Sequence, residues 1–70
     1  MDDFLFVISL SEGQEIMGVK VDPLSGLYQT ALYVINAARD EYPDEDITSC
    51  EVWKRVDPNT LKLILTVYAQ

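Results

Sequence analysis

Residues 22–43 read DPLSGLYQTALYVINAARDEYP, and this stretch decides the fold because it carries the helical pattern of the chain. Asp22 is a residue type that caps helices, and Pro23 suits a first helical position, where no amide partner is needed. Pro43 disfavours the α conformation in the residue before it. We therefore predict one helix from about Pro23 to Glu41.

The helix has one apolar face. Apolar side chains recur at helical spacing along it: Leu24, Leu27, Ala31, Val34, Ile35, Ala38 and Tyr42. The opposite positions are Gln29, Tyr33, Asn36 and Asp40. This pattern predicts that the helix packs one side against a sheet and turns the other side to solvent.

Strand patterns lie on both sides of the helix in the sequence. Apolar or alternating runs predict strands at residues 4–10, 15–21, 47–56 and 61–68. Ser11-Glu12-Gly13 separates the first pair, and Asp57-Pro58-Asn59-Thr60 separates the second. We predict an α+β fold of ββαββ order, a four-stranded, mainly antiparallel sheet with one helix packed on one face. We predict that residues 1–70 form a single domain.

One helix covers only one face of such a sheet, yet both faces carry apolar residues. Alternation predicts that one set faces the helix: Phe4, Phe6, Ile8, Leu10, Leu61, Leu63, Leu65 and Val67. The set predicted to face away is Leu5, Val7, Ile64 and Tyr68, joined by Trp53 if Val52 and Val56 point inward. An open apolar face of this kind serves self-association or partner binding, or is covered by the stems of Lys20, Arg55 and Lys62.

The composition argues against catalysis and against a structural metal. The chain has no histidine and one cysteine, so it lacks the usual general base and the ligands of a zinc site. Cys50 fits a buried strand cysteine, and the neighbouring Glu51 would raise its pKa. Asp44, Glu45 and Asp46 lack the spacing of a calcium loop. We expect no enzyme activity and no cofactor.

The charge and the N-terminus bear on partners and on location. A net charge of −7 with scattered cations argues against direct binding of nucleic acid or of anionic membranes. Met1-Asp2-Asp3 is acidic where a signal peptide is basic, and the apolar run after it is too short to span a membrane. The lone thiol fits a reducing compartment, so we expect a cytoplasmic protein.

Half of the acidic residues fall in one stretch, which is the strongest hint of a partner. They are Asp40, Glu41, Asp44, Glu45, Asp46 and Glu51. Asp40 and Glu41 lie at the C-terminal end of the helix, where the dipole is negative and acidic side chains are unfavourable. Their placement hints at a role other than helix stability. Acidic loops are also commonly plain solvated surface. The functional hypothesis is a docking patch for a larger protein with a basic surface, with Tyr33 and Trp53 as aromatic anchors.

The third strand carries a resemblance. A hairpin, a helix ending in a tyrosine, and Glu51-Val52-Trp53-Lys54-Arg55-Val56 followed by Asp57-Pro58 resemble small phage-encoded inhibitors of a host RNA polymerase. The chain departs from them in its longer helix, more acidic loop and fourth strand. The resemblance implies a compact protein that binds and blocks a host enzyme, acting in the host cytoplasm.

Three functions of different classes follow from the sequence. The first is an inhibitory or regulatory protein that docks on a basic surface of a larger protein, of which a nucleic-acid mimic is the sharpest version. The second is a structural or assembly subunit that forms a homodimer or a larger complex through its open sheet face. The third, a small enzyme, is the least favoured because no catalytic group is in evidence.

Overall fold

The structure, a computed structural model, describes residues 4–17 and 26–69. Its elements follow the predicted ββαββ order: β1 (Phe4–Leu10), β2 (Gly13–Met17), α1 (Gly26–Glu41), β3 (Ser49–Asp57) and β4 (Thr60–Tyr68). The strands form one antiparallel sheet in the order β2-β1-β3-β4. The predicted α+β fold class is confirmed.

The element bounds depart from the sequence prediction in small ways. β2 begins at Gly13 rather than at Glu15, because Leu10 and Gly13 already pair across a two-residue turn. Gly13 has φ +150°, a backbone conformation that L side chains rarely adopt. The predicted end of this strand, the predicted helix start and Leu24 lie outside the described residues.

The core lies between α1 and one face of the sheet. From the helix it takes Ala31, Val34, Ile35 and Ala38, all buried as predicted. From the strands it takes Phe6, Ile8, Cys50, Val52 and Val67, and Ile47 closes it before β3. The helix positions predicted to face solvent, Gln29, Tyr33, Asn36 and Asp40, are exposed. Helical periodicity therefore identified the buried face of α1 correctly.

The predicted inward face of β4 is wrong for its first half. Val52 pairs with Leu65, but the next residue of β3, Trp53, pairs with Leu63, so Ile64 is an extra residue that forms a β-bulge. Directly paired residues share a face, so Leu65 and Val67 face the helix while Leu61 and Leu63 lie with Trp53 on the other face. Strict alternation fails because one inserted residue reverses the pattern beyond it.

A second bulge lies near the β3–β4 turn. Arg55 pairs with Leu61 and Asp57 pairs with Thr60, which leaves Val56 without a partner residue. Val56 is 50% exposed, so it does not point into the core as the alternation required. Val52 is buried, and Trp53 lies on the face away from the helix, although only Val52 meets the condition set for it.

Within residues 4–17 and 26–69, no helix is both long enough and apolar enough to cross a membrane.

The bulge gives a test that separates structure from simple alternation. Leu65 packs against the core, whereas Leu63 is 43% exposed. We expect Leu65→Ala to lower the free energy of unfolding by about 2 kcal/mol, the lower end for buried leucines, because it leaves a partial cavity. Leu63→Ala should cost less than about 1 kcal/mol at low protein concentration. Urea denaturation measures both, and equal losses would contradict the bulged register.

Candidate protein-binding surfaces

The acidic loop after α1 is held by hydrogen bonds. The Tyr42 amide donates to the Ala38 carbonyl over 2.8 Å, and the Glu45 amide donates to the Tyr42 carbonyl over 3.0 Å. Further along, the Arg39 Nε donates to the Ile47 carbonyl over 2.9 Å. Arg39 is also the cation in the last helical turn, where its positive charge interacts favourably with the negative end of the helix dipole. The loop therefore has a defined path from the helix to β3.

Glu45 is a structural member of this loop. Its Oε1 accepts a hydrogen bond from the Ser11 amide over 2.6 Å, and its Oε2 accepts one from the Ser11 hydroxyl over 2.8 Å. The bond from the Ser11 amide, then that from its hydroxyl, holds the pKa of Glu45 below its usual value. Glu45 thus fastens the acidic loop to the β1–β2 turn, and both of its oxygens are engaged.

A second contact joins the same two parts of the molecule. Tyr42, just after α1, lies close to Glu15 of β2. The negative charge of Glu15, then desolvation and the nearby Glu41, raises the pKa of Tyr42 above its ordinary value. Glu45 therefore fastens the loop after α1 to the hairpin, and Glu15 lies beside Tyr42 at the same junction.

The remaining acids near the helix end form a surface that we call the acidic end. It consists of Asp40, Glu41, Asp44 and Asp46, all of which are exposed. The cations Lys54, Arg55 and Lys62 lie in the β3–β4 hairpin, where Phe4 at the start of β1 pairs with Lys54. Ser11, next to the acidic loop, lies at the other end of β1. Apart from Arg39, the described cations therefore lie at the end of the sheet opposite the acidic end.

The structure does not bring all the predicted partner-binding residues together. Tyr33 is 65% exposed on the solvent side of α1, whereas Trp53 lies on the sheet face that α1 does not cover. Glu51 lies on that same open side and accepts a hydrogen bond from the Trp53 Nε1 over 3.1 Å. Because the sheet and the helix separate Tyr33 from Trp53, the two side chains cannot anchor one flat interface. The predicted site divides into the acidic end and a separate sheet surface.

We call the sheet surface opposite α1 the open face. Its exposed apolar side chains include Ile16, Leu61, Leu63 and Tyr68, with exposed fractions between 43% and 73%. Ile64, the bulge residue that was also predicted for an oligomer face, is 41% exposed. Of the residues predicted for an oligomer face, Leu5 and Val7 also lie there, since they pair with Trp53 and Glu51. Val7 is already buried, so it supports the face more than it offers contact.

Sequence reasoning missed part of the open face. Ile16 carried a usable signal, because its pairing with Val7 follows from the hairpin register. Leu61 and Leu63 carried none, because only the bulge at Ile64 turns them away from the core. The face is therefore wider and more apolar than alternation alone predicted.

The described residues offer little for covalent or metal chemistry. Cys50 is fully buried, and burial, with a smaller effect of the Glu51 charge, raises its pKa to about 11. A thiol with that pKa is protonated at neutral pH and is a poor nucleophile. In the part of the chain that the structure describes, no group of three or more cysteine or acidic side chains could hold a metal ion.

The contact between Glu45 and Ser11 predicts a dependence of stability on pH. A lowered pKa in the folded state means that stabilisation is present above the ordinary value of about 4.5 and is lost as pH falls through the lowered one. We expect Glu45→Gln to lower the midpoint of thermal unfolding at pH 7 and to have a smaller effect near pH 3. The exposed neighbour Asp44, changed to Asn, is the control and should leave the midpoint unchanged. A difference that is the same at both pH values would contradict this role for Glu45.

The buried thiol predicts slow chemical labelling. At pH 8 we expect Cys50 to react with a disulfide reagent at least about 100-fold more slowly in the folded protein than in urea, since an ordinary thiol ionises near pH 8.5. Stopped-flow absorbance measures both rates. Similar rates would show that Cys50 is accessible.

Comparisons of the chain with protein-family models, with curated proteins and with solved structures found no match.

Proposed function

We propose that this chain is a small protein-binding module that docks its acidic end on a basic surface of a larger protein. The observation that carries the proposal is the display of Asp40, Glu41, Asp44 and Asp46 beside a hydrogen-bonded loop. Such a loop fixes the backbone that carries these acids before the partner arrives. Less conformational entropy is then lost on binding than with a free acidic tail.

The charge of the whole chain supports the same function. A net charge of −7 attracts a basic partner from a distance, and exposed acids at one end orient the encounter. Binding of this kind is fast at low salt and weakens as salt screens the charges. Three of the four described cations, Lys54, Arg55 and Lys62, lie toward the opposite end, which favours approach by the acidic end.

The mode of action that we favour is inhibition or regulation of the bound protein. The layout of the chain resembles small phage-encoded inhibitors, and a 70-residue chain acts on a larger protein most directly by occupying its surface. A full mimic of a nucleic-acid duplex would need acids spread along the molecule. The gathering of the exposed loop acids at one end favours a basic protein cleft instead.

A second candidate function is assembly through the open face. It is favoured by the exposure of Leu61, Leu63 and Tyr68 on a sheet surface that α1 leaves uncovered. Contiguous exposed apolar side chains of this kind are typical of protein interfaces. This function would be independent of the acidic end, which lies at the end of the sheet.

The docking function is tested by capture from host lysate at low and high salt, followed by kinetics with the purified partner. We expect Asp44→Asn combined with Asp46→Asn to slow association about three- to tenfold at low salt, because steering by charge is weakened. The control removes one charge at the opposite end, with Asp57→Asn, and should change the rate far less than Asp44→Asn alone. Equal effects of these two single substitutions would show that only net charge matters. No change in either would contradict docking through the acidic end.

A further inference from the structure

We propose that the open face binds a second copy of this chain, with the two sheets stacked face to face about a two-fold axis that passes beside Trp53. The proposal deepens the second candidate function, assembly through the open face, and does not depend on docking by the acidic end. A second copy fits this face because the charges on it are arranged to complement themselves.

Two charged residues of β3, Glu51 and Arg55, lie on the open face. Val7 pairs with Glu51, Leu5 with Trp53, and the strand continues regularly to Arg55, which pairs with Leu61. Residues two apart on a strand share a face, so Glu51, Trp53 and Arg55 all lie on the open face. Every other position that the register places on this face within β1 to β4 is uncharged. The face thus carries one acid and one base, on either side of a tryptophan.

A two-fold axis between two stacked copies pairs these opposite charges. A two-fold axis in the plane of the interface, perpendicular to β3 and next to Trp53, reverses the strand direction in the second copy. Glu51 of one copy then lies over Arg55 of the other, and the same pair forms again on the far side of the axis. Parallel stacking would place like charges on each other. The sequence of β3 therefore selects the antiparallel arrangement.

The orientation and exposure of Glu51, Trp53 and Arg55 suit such a contact. The Glu51 Oε1 accepts a hydrogen bond from the Trp53 Nε1 over 3.1 Å, which holds the carboxylate beside the indole ring. The second carboxylate oxygen can accept a bond from a guanidinium, the strong charge-assisted kind. Arg55 is exposed and Trp53 is half-buried, so both can still gain contacts. Tryptophan and arginine are the residue types that most often dominate interfaces.

The size of the face is sufficient for a weak dimer. Four strands spaced about 4.8 Å apart and about seven residues long present roughly 440 Å² of flat area in each copy. Two copies then bury about 900 Å² of flat area, close to the roughly 1,000 Å² of a specific interface. The side chains that project from the sheet add to this area. We therefore expect a dimer that forms at micromolar concentration rather than a permanent one.

Pairing through the sheet edge is a poorer way to cover these side chains. The outer strand β4 carries the bulge at Ile64 and the charged Lys62, both of which are devices that protect an edge from pairing. The apolar residues beside them face outward from the sheet rather than along its plane. Stacking of faces buries them directly.

The test uses the purified full chain in sedimentation equilibrium from about 1 to 500 μM. We expect the unchanged chain to form dimers, and Glu51→Arg or Arg55→Glu alone to weaken association by more than about tenfold, because each places like charges together. An equimolar mixture of the two variants should associate again, since each supplies the charges that the other lacks. The chain carrying both substitutions should likewise recover the dimer.

Lys54→Glu is the matched control, because Lys54 lies on β3 but on the side of the sheet that faces the helix. It changes the net charge as much as Arg55→Glu does and should leave the dimer unchanged. Circular dichroism and protection of Cys50 from labelling confirm that each variant is folded. A monomeric unchanged chain at 500 μM overturns the proposal, as does a mixture that associates no better than its components.

Salt separates this proposal from the docking function. An apolar face should still dimerise at about 0.5 M salt, which also screens the repulsion between two acidic chains, whereas docking by the acidic end should be lost. Failure to capture a partner even at low salt, with an intact dimer, would contradict docking alone. A monomer that still captures a partner would contradict the dimer alone.

Discussion

The packing of one helix on one face of the sheet is the constraint on which the rest of the structure depends. Ala31, Val34, Ile35 and Ala38 fill the space above Phe6, Ile8 and Val52, and the chain has no second helix in its described part to cover the other side. A chain of 70 residues gains most of its stability from this single layer of contact. The open face is the direct consequence, because the strands that form the core on one side must present side chains on the other.

The acidic excess has two physical roles. Glu45 accepts the hydrogen bonds that fix the loop after α1 to the β1–β2 hairpin, and Glu15 lies beside Tyr42 at the same junction. The exposed acids around them, Asp40, Glu41, Asp44 and Asp46, are those through which we propose that the chain docks. Acidic residues therefore both form the proposed recognition surface and stabilise the loop that carries it. The loop with the exposed Asp44 and Asp46 is itself held by the carboxylate of Glu45.

The fold was predictable because its signals are local and repeated. The period of the helix identified its buried face, and turn residues placed the hairpins to within a few residues. The site was less predictable. Acids that are neighbours in sequence separate in space, since Glu51 follows β3 onto the open face while Asp44 and Asp46 remain in the loop. Tyr33 and Trp53 separate for the same reason, because a helix and a strand present their side chains on different sides of the sheet.

The sequence by itself determined the ββαββ order, the apolar face of α1, the burial of Cys50 and the poverty of catalytic groups. These follow from periodicity and composition, which need no knowledge of distant contacts. Only the tertiary structure decided which way Leu61 and Leu63 point and which acid is structural. The first depends on the bulge at Ile64, which exists only in relation to the register of β3. The second depends on the meeting of Glu45 with Ser11, residues far apart in the chain that the antiparallel sheet and the returning helix bring together.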